Sequence, residues 1–377
     1  MKRVAKISVI ASVALFCLAM GCQLFVRLSM TDYRRSFNLY TLVPSSSMGV
    51  LESEDISAFL YEMSRLNYSA EFERYQFPGL LNFILNGLSN YADRNTHGLS
   101  RDLNRLLVSF HAPGTPRDQV VYFHTTPSDE ELFADMLREY APSNFLPKTE
   151  VYRGKRIVVY PLGYTEYLSA YSEDGFLAVS FQKKLIEQVI DTRIDGNSLA
   201  GTPVFGQLQE GKKNRRLLSL YSRSQLMSML GLGEECWSGY DIHLNSDVLY
   251  LTGDTYLTEG KASSESVSAI LGAHPWVWEE GLMISADRDS TDACIASLDA
   301  ENPESLFQQC VSNLSQDADY SMVVDMQKVW NEKERFKKYL PTFVLENCLL
   351  FRPFILSVQY SVHDEELSHF WIFTYKD

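Results

Sequence analysis

The feature that most constrains this chain is an apolar segment close to its N-terminus. Three basic residues within the first six positions precede the run Ile7–Val26, in which two serines and one glutamine are the only polar residues. Twenty residues in a helix span about 30 Å, which is the thickness of the hydrocarbon layer of a bilayer. Residues 1–28 are therefore predicted to be a membrane-directed segment, because a core helix is rarely so long and so uniformly apolar.

Three interpretations of this segment stay open. It is an uncleaved signal anchor, or a secretory signal cleaved after Ala19-Met20-Gly21, or the leader of a lipoprotein modified at Cys22. Leu18–Cys22 is similar to a bacterial lipobox, although Ala19 stands where leucine is usual. All three place the body outside the cytoplasm, in the cell envelope or periplasm. The membrane, through residues 7–26, is the first predicted partner, and Cys22 is the one candidate lipidation site.

The distribution of charge excludes a class of partners. The formal net charge is −14, but residues 1–35 carry +5, so the rest of the chain carries −19. An acidic body repels phosphate backbones, and a nucleic-acid partner is therefore not expected. Apolar residues make up 45% and charged residues 22%, which is ordinary globular usage. The remaining expected partner is an envelope protein or polymer whose identity the sequence does not indicate.

The length of 377 residues is typical of two domains. Residues 29–42 are polar with scattered aromatic side chains and are predicted to form a stalk. Two α+β subdomains are predicted at 43–200 and 201–377, divided near the polar stretch 195–214. The basic run Lys212–Arg216 follows, and it is interpreted as a solvated loop or as a contact with an anionic polymer or headgroup.

Helices are predicted where apolar residues recur at helical spacing. The strongest stripes lie at 56–66, 132–140 and 306–314, with start signals at Ser53, at the capping box Ser128-x-x-Glu131 and at Asn302-Pro303. Shorter helical patterns lie at 182–193, 224–231 and 263–271. A strand at 119–125 leads directly into the capping box.

Three β-hairpins are predicted from alternating patterns and turn residues. The first turns at Asp174-Gly175, the second near 245–247, and the third at 364–366. The fold class predicted from these elements is α+β, with mostly antiparallel sheets built from hairpins and amphipathic helices packed on one face. The recurrence of hairpins also suggests degenerate repeats.

Several short motifs follow one another in an order that resembles a known family. They are Pro44-Ser-Ser-Ser-Met-Gly-Val-Leu, Tyr152-Arg-Gly-Lys-Arg-Ile, Gly175-Phe-Leu-Ala-Val-Ser, and Trp237-Ser-Gly-Tyr-Asp-Ile with Leu251-Thr-Gly253. The chain is similar to a family of uncharacterised bacterial cell-envelope proteins with one N-terminal membrane segment and an exported α+β domain. That resemblance implies a place in the envelope, and it implies no activity and no site residues.

Two motifs in the chain resemble those of serine enzymes. Ser180-x-x-Lys183 has the spacing of penicillin-recognising enzymes, but Ser-Asp-Asn and Lys-Thr-Gly are absent. We interpret Ser180 as the end of a strand that caps the next helix. The sequence around Ser198 approximates a nucleophile elbow without its final glycine, and a loop is expected there.

Metal and acid–base sites have equally weak signals. His363 and His369 flank an acidic turn and would approach each other across the third hairpin, but a solvated hairpin tip explains the pattern as well. Glu279 and Glu280 beside Trp276 and Trp278 form the most sugar-like neighbourhood, with tryptophans packed on the core as the alternative. No catalytic, cofactor-binding or metal-binding residue is therefore predicted.

The cysteines give the last constraint. Cys236, Cys294, Cys310 and Cys348 lie in the body without any C-x-x-C pair, and buried thiols explain them better than a disulfide framework. Residues 43–377 are expected to fold without metal, cofactor or obligatory disulfide. The predicted function is that of an exported, membrane-tethered envelope protein, a non-catalytic binding or structural module, with a hydrolase of cell-wall or glycan material as the alternative.

Overall fold

One large antiparallel sheet organises the protein in a computed structural model. The structure describes residues 37–70, 80–94, 103–112, 117–140, 146–163, 166–173, 175–210, 218–223, 236–257, 276–286, 288–298, 305–337, 339–340, 344–345, 348–363 and 366–376. In these ranges fifteen strands pair in the order β11-β12-β13-β14-β15-β10-β9-β8-β1-β2-β3-β7-β6-β5-β4. Their bounds are β1 Gly49–Ser53, β2 Leu106–Phe110, β3 Gln119–His124, β4 Lys148–Tyr152, β5 Lys155–Pro161, β6 Tyr167–Glu173, β7 Phe176–Ser180, β8 Leu218–Arg223, β9 Cys236–Leu244, β10 Val248–Leu257, β11 Val277–Glu279, β12 Leu282–Ser285, β13 Tyr320–Asp325, β14 Phe354–His363 and β15 Glu366–Tyr375.

Helices connect the strands. Those in the described ranges are α1 Ile56–Ser64, α2 Leu80–Arg94, α3 Pro127–Tyr140, α4 Lys183–Asp195, α5 Pro203–Glu210, α6 Arg288–Ala296, α7 Leu306–Ser312, α8 Met326–Asn331, α9 Lys333–Phe336 and α10 Cys348–Phe351. Short 3₁₀ helices occupy Leu39–Leu42 and Leu199–Gly201. The combination of helices with a large antiparallel sheet agrees with the predicted α+β class.

The same order of connections occurs twice in the sheet. From the centre outward, β1, β2 and β3 are neighbours, and β4 to β7 then return from the edge so that β7 pairs with β3. In the other half β8, β9 and β10 are neighbours, and β11 to β15 return from the opposite edge so that β15 pairs with β10. The two halves meet where β1 pairs with β8. The topology thus repeats over half the chain and not over single hairpins, and the two predicted subdomains share one continuous sheet.

Helices cover both faces of this sheet, so the expectation of helices on one face is not confirmed. Successive strand residues point to opposite faces, and in β3 Tyr122 packs in a core with α4 whereas Val121 and Phe123 pack in another with α2 and α3. The second half repeats this arrangement in β13. Val323 packs in a core with α6 and α7, whereas the adjacent residues Met322 and Val324 pack in a core with α8 to α10. Strands buried on both faces lose the strict alternation from which single-faced packing was expected.

The folded body begins earlier than residue 43. Leu39, Tyr40 and Leu42 are buried in the core formed with α4 and α5, and the Asn38 side chain accepts the Tyr40 N–H at 3.0 Å. The predicted stalk 29–42 therefore overlaps the core at its C-terminal end. The polar composition of this segment gave no indication of the short 3₁₀ helix Leu39–Leu42, whose three buried apolar residues pack in the core.

The helix α3 begins with a capping box, but at residues two positions earlier than predicted. The capping box was predicted at Ser128 and Glu131, but the reciprocal bonds join Thr126 and Asp129. The Thr126 N–H and hydroxyl both donate to the Asp129 carboxylate, at 2.8 and 2.6 Å. Both pairs have the required spacing, and the end of β3 at His124 selects the earlier one. The three predicted hairpins are confirmed as β6–β7, β9–β10 and β14–β15.

Some predicted elements lie outside the described residues. These are the membrane-directed segment 1–28 with Cys22, the basic run 212–216 and the helical patterns 224–231 and 263–271. In the ranges that the structure does describe, no helix has the length and apolar character needed to cross a bilayer.

Candidate functional site

Ser180 and Lys183 do not form a catalytic pair. Ser180 ends β7, donates its hydroxyl to the Gln119 carbonyl at 2.8 Å and accepts the Gln182 N–H at 3.0 Å, directly before α4. The Lys183 ammonium instead binds Glu150 at 2.8 Å and lies 3.4 Å from Glu187. A lysine held by two carboxylates stays charged and is no general base. The N-cap residue of α4 is Gln182, so the prediction that Ser180 ends a strand is confirmed and the prediction that it caps the helix is not.

Ser198 lies in a loop, as expected. Gly196 ends α4 with a left-handed φ of 75°, a conformation that favours glycine. Ser198 forms an isolated bridge with Pro44, and the Asn197 side chain accepts the Ser45 hydroxyl at 2.9 Å. These contacts tie the loop to the segment that enters β1, and there is no strand–turn–helix elbow to present a nucleophile.

The two histidines of the third hairpin occupy register positions on opposite faces of the sheet. His363 pairs with Glu366 and His369 pairs with Tyr360, with an unshifted register between β14 and β15. Residues three apart on a strand point to opposite faces, so His363 and His369 lie on opposite faces of the sheet. The sequence suggested proximity because both flank one turn, but strand alternation separates them. No group of three or more His, Cys, Asp or Glu residues in the described ranges is placed to hold a metal ion.

The acidic and aromatic neighbourhood at β11 is not a paired-carboxylate site. The Glu279 carboxylate binds Arg335 at 2.7 Å and Lys328 at 3.2 Å. The hydrogen bond from Arg335 is the main reason that the pKa of Glu279 is lowered, so the group does not serve as an acid. Trp276, directly before the edge strand β11, is 56% exposed, whereas Trp278 is 38% exposed. The Trp278 ring lies 6.3 Å from that of Phe307, which packs against the core with α6 and α7. The expectation that the tryptophans pack on the core is therefore met in part by Trp278 and not by Trp276.

Three of the four body cysteines are free thiols. Cys294 and Cys310 are buried in the core with α6 and α7, and Cys348 is buried at the start of α10. Burial raises the pKa of Cys310, against hydrogen bonds with Thr374 and Ser357. A raised pKa keeps a thiol protonated and unreactive.

The structure brings together a serine, a histidine and an aspartate that sequence reasoning missed. Ser109 on β2 lies with its Oγ 2.7 Å from His111 Nε2 and 3.1 Å from the Tyr122 hydroxyl. His111 and Asp118 face each other across the β2–β3 turn, where the His111 N–H donates to the Asp118 carbonyl at 2.9 Å. The Asp118 carboxylate also accepts the side-chain amide of Gln182. The residue types are those of a Ser-His-Asp triad, and the histidine nitrogen nearest the serine is the one such triads use.

Burial decides what this cluster can do. Ser109 is 0% exposed and His111 is 4% exposed. Desolvation lowers the pKa of His111 to about 4, although the charge of Asp118 acts in the opposite direction. A nucleophile must touch its substrate, and a serine sealed between two strands and a helix cannot do so in this conformation. The cluster is therefore a satisfied polar core network.

A cleft of about 210 Å³ lies on the same face at the other end of these strands. Glu52 of β1, Arg105 directly before β2 and His124 of β3 line it together with Phe37 to Tyr40. Arg105 also pairs with Glu54 at 3.1 Å. Two formal charges, an imidazole and aromatic rings are groups that bind a charged or polar ligand. The cleft is smaller than most small-molecule sites, so a side chain or a headgroup fragment fits it best.

A second buried histidine lies in the other half. One rung of the sheet carries Tyr240, Gly253, His369, Tyr360 and Tyr320 on five successive strands. The glycine leaves space in which the Tyr240 and His369 rings approach to 4.4 Å. His369 Nδ1 lies 3.3 Å from the Thr255 hydroxyl, and burial lowers the pKa of His369 to about 3, against a contact with the Gly239 backbone.

A partial signal for the missed residues exists in the sequence. Leu106–Phe110 is an apolar run that was not assigned as a strand, and with it Ser109 and His111 fall two residues apart on one face. The pairing of His111 with Asp118 then follows from the hairpin register. The cleft gave no such signal, because its walls join residues near 38, 52, 105 and 124 only after the sheet has formed.

Comparisons with known proteins add little. No protein-family model matches the chain, and no curated protein matches it. Among solved structures, crystal forms III and I of TP0453 are similar over 65% of this chain, covering 91% and 90% of the TP0453 chain, with 10% sequence identity and TM-scores of 0.30 and 0.27. Similarity at this level supports no inference about function. The sequence resemblance to uncharacterised envelope proteins therefore stays a prediction.

Proposed function

We propose that this chain is an exported envelope protein, tethered to the membrane through residues 7–26, whose body is a non-catalytic binding or structural module. One observation carries the binding role: the accessible cleft combines Glu52, Arg105 and His124 and is closed by Phe37 to Tyr40. Those wall residues directly follow the segment that leads from the tether. A ligand bound there contacts both the body and the root of the tether.

The physical character of the cleft supports binding over chemistry. Arg105 is about one-third exposed and pairs with Glu54, so a ligand carboxylate or phosphate can share its guanidinium. His124 is buried at the floor. An anionic group of an envelope polymer or of a protein partner fits this set, in a body that otherwise repels anions.

The experiment is capture from detergent-solubilised envelope with the full chain as bait. We expect a reproducible protein or polymer partner, strongly reduced by Arg105→Ala. The matched control is Arg138→Ala, which removes another exposed arginine that pairs with Asp135 and leaves the cleft intact. Equal capture by both variants would contradict the assignment of the cleft.

The alternative function, a hydrolase of cell-wall or glycan material, has the Ser109–His111–Asp118 arrangement as its candidate site among the described residues, and the burial of that cluster argues against it. A fluorophosphonate probe, which phosphonylates activated serines with loss of fluoride, separates the two functions. The binding module requires no labelling of Ser109, and Ser109→Ala should lower stability by about 1–3 kcal/mol because His111 and Tyr122 lose a buried partner. Labelling at Ser109 that is abolished by Ser109→Ala would establish the hydrolase.

A further inference from the structure

Among the described residues, β4 forms an outer edge of the sheet. This strand ends the sheet order, and no other strand in the described ranges pairs with its outer side. Val151 on the strand is 75% exposed, and Leu146 just before it is 87% exposed. Unpaired backbone groups beside exposed apolar side chains are a template for another strand.

This edge is held in place before any partner arrives. The Tyr152 hydroxyl donates to Asp191 at 3.0 Å, and Arg153 at the hairpin turn binds Asp191 and Asp195 at 2.8 Å each. Glu150 is bound by Lys183 of α4. A strand fixed by these contacts loses little conformational freedom on pairing, which favours association.

The turn determines which backbone groups face outward. Arg153 and Gly154 have φ values of 47° and 78°, which define a two-residue type I′ turn closed by a hydrogen-bonded pair, Tyr152 and Lys155. Hydrogen-bonded and non-hydrogen-bonded positions alternate along an antiparallel pair. The N–H and C=O groups of Val151 and Thr149 therefore point away from β5, toward the open edge.

We propose that a second copy of this chain pairs with β4, antiparallel, with the twofold axis at Thr149. In this register Lys148 lies opposite Glu150 of the second copy, twice by symmetry, and Val151 lies opposite Pro147. Thr149 faces its own counterpart with both outward backbone groups. Lys148 lies 3.4 Å from Glu150 of its own chain, and in the pair it also faces Glu150 of the second copy. The edge is thus self-complementary in charge, and the twofold contact closes as a dimer and not a filament.

The contact is small. A pair of five-residue strands covers less surface than the roughly 1,200 Å² of stable interfaces. The dimer is therefore weak in solution, and cross-linking is the appropriate assay. The proposal does not depend on the function assigned to the cleft.

The test uses cysteine substitutions in the full chain under mild oxidation. In the proposed register the two Thr149 Cα atoms lie about 5.5 Å apart, within the range of a disulfide. T149C should form a covalent dimer at least about tenfold faster than V151C. Val151 is the matched control because it is also exposed, but its counterpart lies about 13 Å away along the strand. The unsubstituted chain sets the baseline from native cysteines.

Charge variants test the register independently. K148E in the T149C background should slow cross-linking, because two pairs of like charges then face each other. K184E makes the same charge change at an exposed lysine of α4 and should leave the rate unchanged. Mixing K148E/T149C with E150K/T149C should restore the cross-linking rate of T149C, because opposite charges then face each other at both positions. Equal cross-linking of T149C and V151C, or none by T149C, would overturn the proposal.

Discussion

Two buried histidines, His111 and His369, make folding sensitive to mild acid. His369 and His111 have pKa values of about 3 and about 4 in the folded protein, mainly because burial disfavours the charged ring. An unfolded histidine titrates near 6.5. Below pH 6.5 the unfolded chain therefore binds protons that the folded chain excludes, and stability falls as the pH falls.

The magnitude follows from linkage. Each excluded proton costs about 1.4 kcal/mol per pH unit below 6.5. An unfolded histidine is already half protonated at pH 6.5, so between pH 6.5 and pH 5 each histidine removes about 1.6 kcal/mol. The two together remove about 3 kcal/mol, a large share of a typical 5–15 kcal/mol. Above pH 7 the contribution vanishes. Carboxyls with lowered pKa values, such as Glu150 and Asp195, lose their stabilising charge only at lower pH.

Denaturant unfolding of residues 30–377 from pH 5 to pH 8 measures this dependence. His369→Asn and His111→Asn should each halve the loss of stability between pH 6.5 and pH 5. The comparison is between pH slopes, so any loss of packing in a variant cancels. A variant that keeps the full slope of the parent would refute the burial of that histidine as a neutral group.

Three further outcomes are expected. Gly253→Ala should lower the free energy of unfolding by more than about 2 kcal/mol, because the added Cβ would overlap the Gly239 carbonyl. The control Gly206→Ala has open space around it and should not destabilise the protein. Equal melting temperatures of the two variants would contradict this prediction. Asp129→Ala should cost about 1 kcal/mol in thermal or chemical unfolding through loss of the cap of α3. Chelator and reductant should each leave the melting transition of residues 30–377 cooperative and at most modestly shifted, and its collapse under either would show that a metal or a disulfide holds the fold.

Local signals predicted the elements better than their packing. The hairpin turn at 174–175 and the helix α4 follow from glycine, alternating apolar residues and a helical stripe, all of which act within a few residues. The placement of helices on both faces is decided by which strands lie centrally in the sheet. That depends on pairings such as β1 with β8, about 170 residues apart in the sequence, for which no local pattern exists.

The candidate sites also divide into those that local sequence signals predicted and those that depend on the packing of distant strands. The loop at Ser198 and the strand end at Ser180 could be assigned because missing companion residues argued against catalysis. The alternative that His363 and His369 meet, which was less favoured than a solvated hairpin tip, rested on spacing along the sequence without strand alternation. The buried Ser109–His111 pair required the strand at 106–110, which β-branched and aromatic content marks only weakly.

The central claim, a membrane-tethered body outside the cytoplasm, is tested most directly by fractionation combined with protease accessibility. Full-length protein carrying a C-terminal tag should be recovered with membranes, and the tag should be digested once protease reaches the outer side of the cytoplasmic membrane. Intact mass, with Cys22→Ala as the companion variant, then separates the anchor from the lipoprotein, because lipidation removes residues 1–21 and adds acyl chains to Cys22. Recovery of an intact, protected body in the soluble cytosolic fraction would contradict the account.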